Sequence, residues 1–77
     1  MFTTLIGIKK IHIHDGDYEI RYYRKNNFNG NAFFTSEVNI GQNDKIILDD
    51  HSLASLEYKV DLVLPIALYS RAARHCR

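Results

Sequence analysis

Apolar and polar residues alternate over Ile11–Ile13 and again over Tyr18–Tyr22, on either side of His14-Asp15-Gly16-Asp17. Alternation at period two marks a half-buried strand, and Asp-Gly is a favoured pair for a two-residue hairpin turn. With Asp15-Gly16 as the loop, His14 is expected opposite Asp17, Ile13 opposite Tyr18, His12 opposite Glu19 and Ile11 opposite Ile20. One face of this hairpin then carries Ile11, Ile13, Tyr18, Ile20 and Tyr22. The other carries Lys10, His12, His14, Asp17, Glu19 and Arg21. This is the division of a sheet with one dry and one wet side.

A second turn falls in Asn26–Asn31, where Asn29-Gly30 favours positive φ. A three-residue loop, Asn29–Asn31, keeps the hydrophobic faces in phase and pairs Phe28 with Ala32, Tyr22 with Val38 and Ile20 with Ile40. The third strand, Ala32–Ile40, then turns Phe34, Ser36, Val38 and Ile40 inward. Gly41–Asp44 reads as a third turn, and Lys45–Leu48 as a short fourth strand with Ile46 and Leu48 inward. Residues 2–8 are out of phase with the hairpin: Ile6 and Ile8 share parity with Lys10 and His12. Either a bulge near Gly7 or Lys9-Lys10 resets the phase, or these residues form a separate strand that pairs elsewhere, even with another chain.

Asp49-Asp50-His51-Ser52 reads as a helix start, with Ser52 as the N-cap and the two aspartates near the positive end of the helix dipole. Leu53, Leu56, Val60, Val63, Leu64, Ala67 and Leu68 recur at helical spacing. From Leu62 to Tyr69 the helix is apolar on all sides and contains Pro65, which removes one helical hydrogen bond and is expected to kink or split it. The fold class predicted is α+β: an antiparallel meander of four strands, or five, followed by one C-terminal helix packed on a single face.

Seventy-seven residues allow one domain, here residues 1–77. A lone cysteine, Cys76, excludes a disulfide framework and a multi-cysteine zinc site and fits a reducing compartment. No basic segment precedes the short apolar stretch at the N-terminus, and the longest apolar run falls well short of the roughly 20 residues of a membrane span. A cytoplasmic protein without a membrane association is expected. All nine acidic residues but only seven of the ten Lys and Arg precede residue 71. The body is therefore mildly acidic, and residues 71–77, with Arg71, Arg74 and Arg77, form a basic tail expected to fray.

Three constellations could carry function. His12, His14, Asp17 and Glu19 gather on one strand face and could converge on a Zn²⁺-like ion, although ordinary cross-strand charge pairing on a solvent face is the favoured account of them. Lys10, His12, Glu19, Arg21, Tyr23, Phe33 and Glu37 make a mixed charged and aromatic sheet face, suited to a macromolecular partner. Its basic and aromatic members raise single-stranded nucleic acid as an alternative. Leu62, Leu64, Ile66, Leu68 and Tyr69 exceed what one small sheet can cover, so a homodimer through the helix is expected. No Gly-rich phosphate loop, nucleophile elbow or helical His-Glu-x-x-His is present, and no cofactor is implied.

The order of strands then helix, with Asp49-Asp50-His51-Ser52-Leu53 at the helix start, resembles small HicB-like antitoxin domains. The proline-containing loop before the helix and the Gly-Asp-Thr run of that family are absent, so no residue role is carried over. The reading that follows is a small non-enzymatic protein-binding and oligomerisation module of the inhibitor, antitoxin-like or accessory-subunit kind.

Overall fold

The structure, a computed structural model, describes residues 2–13 and 16–75, with the backbone alone for 72–75. Strands β1 (Phe2–Ile13), β2 (Gly16–Asn26), β3 (Ala32–Gly41) and β4 (Asp44–Asp50) are followed by helix α1 (Leu53–His75). The strands form one antiparallel meander in the order β1-β2-β3-β4, and α1 packs on one face of it. The α+β architecture expected from the sequence is the one observed.

The inner and outer faces follow the predicted alternation. Ile20, Tyr22, Val38 and Ile46 from the sheet meet Leu56, Val60, Leu64 and Leu68 from the helix in a buried core. Ile11, Ile13, Tyr18, Phe34, Ile40 and Leu48 pack at its margin. The strand registers differ from those expected, each by two residues. Ile13 pairs with Gly16, Ile11 with Tyr18 and His12 with Asp17. Tyr22 pairs with Ser36 and Ile20 with Val38. A shift of two returns every side chain to the same face, so alternation alone cannot distinguish the two registers.

Loop chemistry accompanies both shifts. Gly16 is a strand residue with the Tyr18 ring lying over it; a Cβ there would sit 2.8 Å from Tyr18 Oη. His14 and Asp15, the first half of the expected turn, lie outside the described residues. In the second hairpin the Asn27 side-chain oxygen accepts hydrogen bonds from the backbone N–H groups of Asn29 and Asn31, both at 3.0 Å. The Asn27 N–H donates to the Asn31 carbonyl, also at 3.0 Å. This closes a five-residue loop, Asn27–Asn31, with Gly30 at φ +81°. An asparagine that mimics a turn in this way outweighs the shorter loop.

β1 is a single strand. Leu5 pairs with Tyr23 and Gly7 with Tyr22, leaving Ile6 as a bulge that resets the phase between residues 2–5 and the hairpin. A second irregularity at Ile40 precedes the tight turn at Gln42-Asn43, where Asn43 has φ 62°.

Asp49 and Asp50 belong to β4, opposite Thr35 and Phe34, rather than to the helix start. The cap is Ser52: its Oγ accepts from the Ser55 N–H at 3.1 Å, and its carbonyl accepts from the Leu56 N–H at 3.0 Å. From there α1 is one continuous helix with Pro65 inside it, not two. It runs on through His75, past the start of the expected basic tail. Arg71 ties that region down: its guanidinium reaches back to Asp44 at the start of β4. Cys76 and Arg77, the end of the tail, lie outside the described residues. No helix among the described residues is long and apolar enough to cross a membrane.

Candidate interaction surfaces

The helix presents two apolar rows. Leu56, Val60, Leu64 and Leu68 are 0–5% exposed and face the sheet. Tyr58, Leu62, Ile66 and Tyr69 are 67%, 52%, 70% and 68% exposed. At 3.6 residues per turn the second row falls within an arc of about 80°, on the side of the helix opposite the first. The Cα shell is only 16 Å across its shortest axis, room for one sheet and one helix. Among the described residues no third layer lies over the outer row.

The dimer face predicted from the sequence is corrected by this division. Leu64 and Leu68 belong to the chain's own core and cannot meet a partner, whereas Leu62, Ile66 and Tyr69 remain outward. Tyr58 was missed. Four-residue steps back from Ile66 through Leu62 reach it, but the apolar block that draws attention begins only at Leu62.

The open face of the sheet brings together the seven residues expected there. Lys10 pairs with Glu19, Arg21 with Glu37, and Tyr23 and Phe33 lie on adjoining strands of the same face. Three further apolar residues join them: Leu5, Ile8 and Ile47 are 49%, 51% and 53% exposed. Ile8 shares the parity of Lys10, whereas Leu5 is on this face only because the bulge at Ile6 reverses the parity of the residues before it.

The charges of this face are interleaved. Lys10, Arg21, Lys25 and Lys45 alternate with Asp17, Glu19, Glu37 and Asp49 across the strands. Arg21 lies 3.3 Å from Glu19, and Lys45 lies 4.0 Å from Glu37. Hydrogen bonds to Tyr23 and then Glu19, reinforced by the Glu19 charge, hold the Arg21 pKa above its ordinary value. Thr35 is buried on this otherwise exposed side, and its hydroxyl donates to Asp49 Oδ1 at 2.6 Å. Lys59 donates to the Asp49 carbonyl at 2.8 Å and lies 3.4 Å from Asp50 Oδ2, tying the first turns of α1 to the end of β4.

The histidine cluster is assembled only in part. His12 Nδ1 donates to Asp17 Oδ1 at 2.7 Å, as their direct pairing allows. Glu19 is opposite Lys10 instead of His12, so an ammonium group enters the shallow depression lined by Lys10, His12, Asp17 and Glu19. His14 lies outside the described residues. Among the described residues no three His, Cys, Asp or Glu side chains are placed to hold a metal. No family model matches this chain, and neither a curated protein nor a solved structure matches it.

Proposed function

We propose that this chain is a non-enzymatic protein-binding module that self-associates through the outer face of α1, and that it acts by masking or bridging a macromolecular partner. The observation that carries the reading is the row Tyr58, Leu62, Ile66 and Tyr69, four large side chains each more than half exposed on a helix whose opposite side is already the core. Large apolar side chains grouped in this way mark interfaces, whereas scattered ones do not. Tyrosine and aliphatic residues together also suit a protein surface.

The interface is small. A helix of this length is about 34 Å long and about 10 Å wide, or roughly 350 Å² per protomer. A standard interface takes about 800 Å² from each partner. Self-association through this face is therefore weak and exchangeable, which suits a module that trades a second copy for another protein. The inhibitor, antitoxin-like and accessory-subunit roles all fit that behaviour.

The open sheet face supports a protein partner over nucleic acid. Four acidic groups interleave with its four basic ones, and a phosphate backbone requires an uncompensated positive stripe.

Sedimentation equilibrium over about 10 μM to 1 mM tests the reading, since weak complexes dissociate in this range. A monomer–dimer equilibrium is expected, shifted to monomer by Leu62→Lys. A folded monomer throughout the range overturns it.

A further inference from the structure

We infer that the free edge of β1, from Gly7 to Ile13, takes an extended acidic peptide of a protein partner as a fifth strand of the sheet. The inference says how a partner of the kind proposed above is held, and it does not depend on self-association through α1.

β1 and β4 are the two edges of the sheet. In an antiparallel sheet every second residue of an edge strand turns its N–H and C=O away from its neighbour, and an extended chain matches that row of donors and acceptors. The two edges differ. β4 is the shorter, and α1 is fastened near both of its ends: Arg71 holds Asp44, and Lys59 Nζ donates to the Asp49 carbonyl at 2.8 Å. α1 packs over β3 and β4. Among the described residues, β1 is hydrogen-bonded through its backbone to β2 and to no other element. The bulge at Ile6 interrupts this edge, so the continuous stretch is Gly7–Ile13. It is about 20 Å long, the length of an ordinary strand.

A groove runs beside this stretch on the inner side of the sheet, between β1 and the first turns of α1. Ile6, Gly7, Lys9, Tyr22, Leu53 and Glu57 line it. A Cβ on Gly7 would meet nothing within 4 Å, so the groove is open over the strand itself. When a peptide adds to a sheet edge, main-chain hydrogen bonds give affinity and pockets for alternate side chains give selectivity. Here an aliphatic side chain of the added strand lies over Gly7 toward Leu53 and Tyr22.

Charge selects the occupant. Residues 2–13 contain Lys9, Lys10 and His12 and no acidic residue. Lys9 is opposite Ile20 on the inner face, and Lys10 is opposite Glu19 on the open one. His12 is bonded to Asp17, and Glu19 lies against Arg21. Neither lysine is in an ion pair among the described residues. A second β1 laid along the same stretch sets lysine beside lysine, which is unfavourable. A bulge and edge lysines are devices that keep an edge from pairing with its own kind. Carboxylates opposite Lys9 and Lys10 turn the same charges into attraction. The groove's own carboxylate, Glu57, is on its α1 wall, so the acidic residues of the added strand belong beside the lysines and the aliphatic one beside Gly7.

Random peptides displayed on phage and selected against the full chain supply the probe, and the strongest binder is synthesised. It is expected to combine β-branched with acidic residues and to slow amide exchange in Gly7–Ile13. Lys9→Glu with Lys10→Glu should weaken its binding by about tenfold, the sum of two cross-strand charge pairs. Exchanging the peptide's acidic residues for lysine should restore binding to that variant. Unaltered amide exchange in β2 and β3 shows that the variant is folded. Selection of no peptide, or of peptides that protect α1 or the open sheet face in place of β1, overturns the proposal. So does a variant that binds the acidic peptide as tightly as the unsubstituted chain. Exchange in Gly7–Ile13 that slows with protein concentration alone assigns the edge to a second copy and overturns it as well. Failure here leaves self-association through α1 standing, and a chain that stays monomeric leaves peptide binding to β1 standing, because the two measurements read different elements.

Discussion

Arg71 holds Asp44 with two parallel hydrogen bonds, Nε to Oδ2 at 2.7 Å and Nη2 to Oδ1 at 3.1 Å, while its Nη1 donates to the Ala67 carbonyl at 3.2 Å. The fork joins the last turns of the helix to the first residue of β4. The bond to Asp44 raises the Arg71 pKa. Arg71→Lys cannot reproduce a bidentate contact. Arg71→Ala and Asp44→Ala should both release the end of α1, with amide exchange accelerating beyond Leu68 while β2 and β3 keep their protection. Unchanged exchange in the last turns would show that the fork does not anchor them.

Two leucines two residues apart should respond differently to truncation. Leu64 is 1% exposed in the core and Leu62 is 52% exposed on the outer face. Leu64→Ala should cost about 2–5 kcal/mol, the usual range for a buried leucine. This approaches the whole stability of a small domain. Leu62→Ala should change the monomer by no more than about 0.5 kcal/mol. Urea unfolding at low protein concentration measures both without a contribution from self-association.

Ser36 sits between Tyr22 and Leu48 at 1% exposure, and its hydroxyl is buried with no hydrogen-bond partner. A buried group left unsatisfied costs about 1–3 kcal/mol. Ser36→Ala should therefore stabilise the fold, and each 1 kcal/mol gained raises the melting temperature of a domain this size by about 4–8 °C. A lower melting temperature would indicate that the hydroxyl has a partner in solution.

Tyr22 should make stability fall at alkaline pH. Burial, and then the charges of Glu57 and Asp61, raise its pKa above 10.0. The folded state favours the neutral phenol, so its contribution is complete below about pH 10 and is lost as pH rises through the higher folded value. Glu57→Gln with Asp61→Asn should move the late step of the tyrosinate absorbance titration to lower pH. Failure of that step to move would mean that burial alone sets it.

Asp50 acts at the other end of the pH scale. The His51 N–H, 2.7 Å from its Oδ1, lowers its pKa below 3.8, and Lys59 adds to the effect against the opposing influence of desolvation. Its contribution is complete above about pH 4 and is lost as pH falls through the lower folded value. Asp50→Asn should flatten the acid limb of the stability profile, measured by urea unfolding from about pH 2 to 6, and leave the neutral region's pH dependence unaltered.

The two hairpins show how far a single chain can be read. Period-two alternation assigns Ile20, Tyr22, Ser36 and Val38 to the inner face whichever register the strands adopt, because side chains return to the same face every second residue. Helical spacing likewise assigns Leu56, Val60, Leu64 and Leu68 to one stripe. Faces, strand order, the Ser52 cap and a break of phase early in β1 were all legible, although a bulge and a separate strand accounted for that break alike until the pairing of β1 with β2 decided it.

Register, end contacts and exposure were not. Asn27 closes a longer loop by bonding two backbone N–H groups, and the matching shift in the first hairpin places Lys10, not His12, opposite Glu19. In the candidate interface, the stripe through Leu56 and Val60 continues to Leu64 and Leu68, but the apolar segment 62–69 carries no sequence feature that tells whether its other side is covered as well. Leu64 and Leu68 are covered while Leu62 and Ile66 are more than half exposed because, among the described residues, the sheet packs on one side of α1. Local periodicity sets which residues share a face. Only contacts between residues far apart in the chain, such as Arg71 with Asp44, set which face is left for a partner.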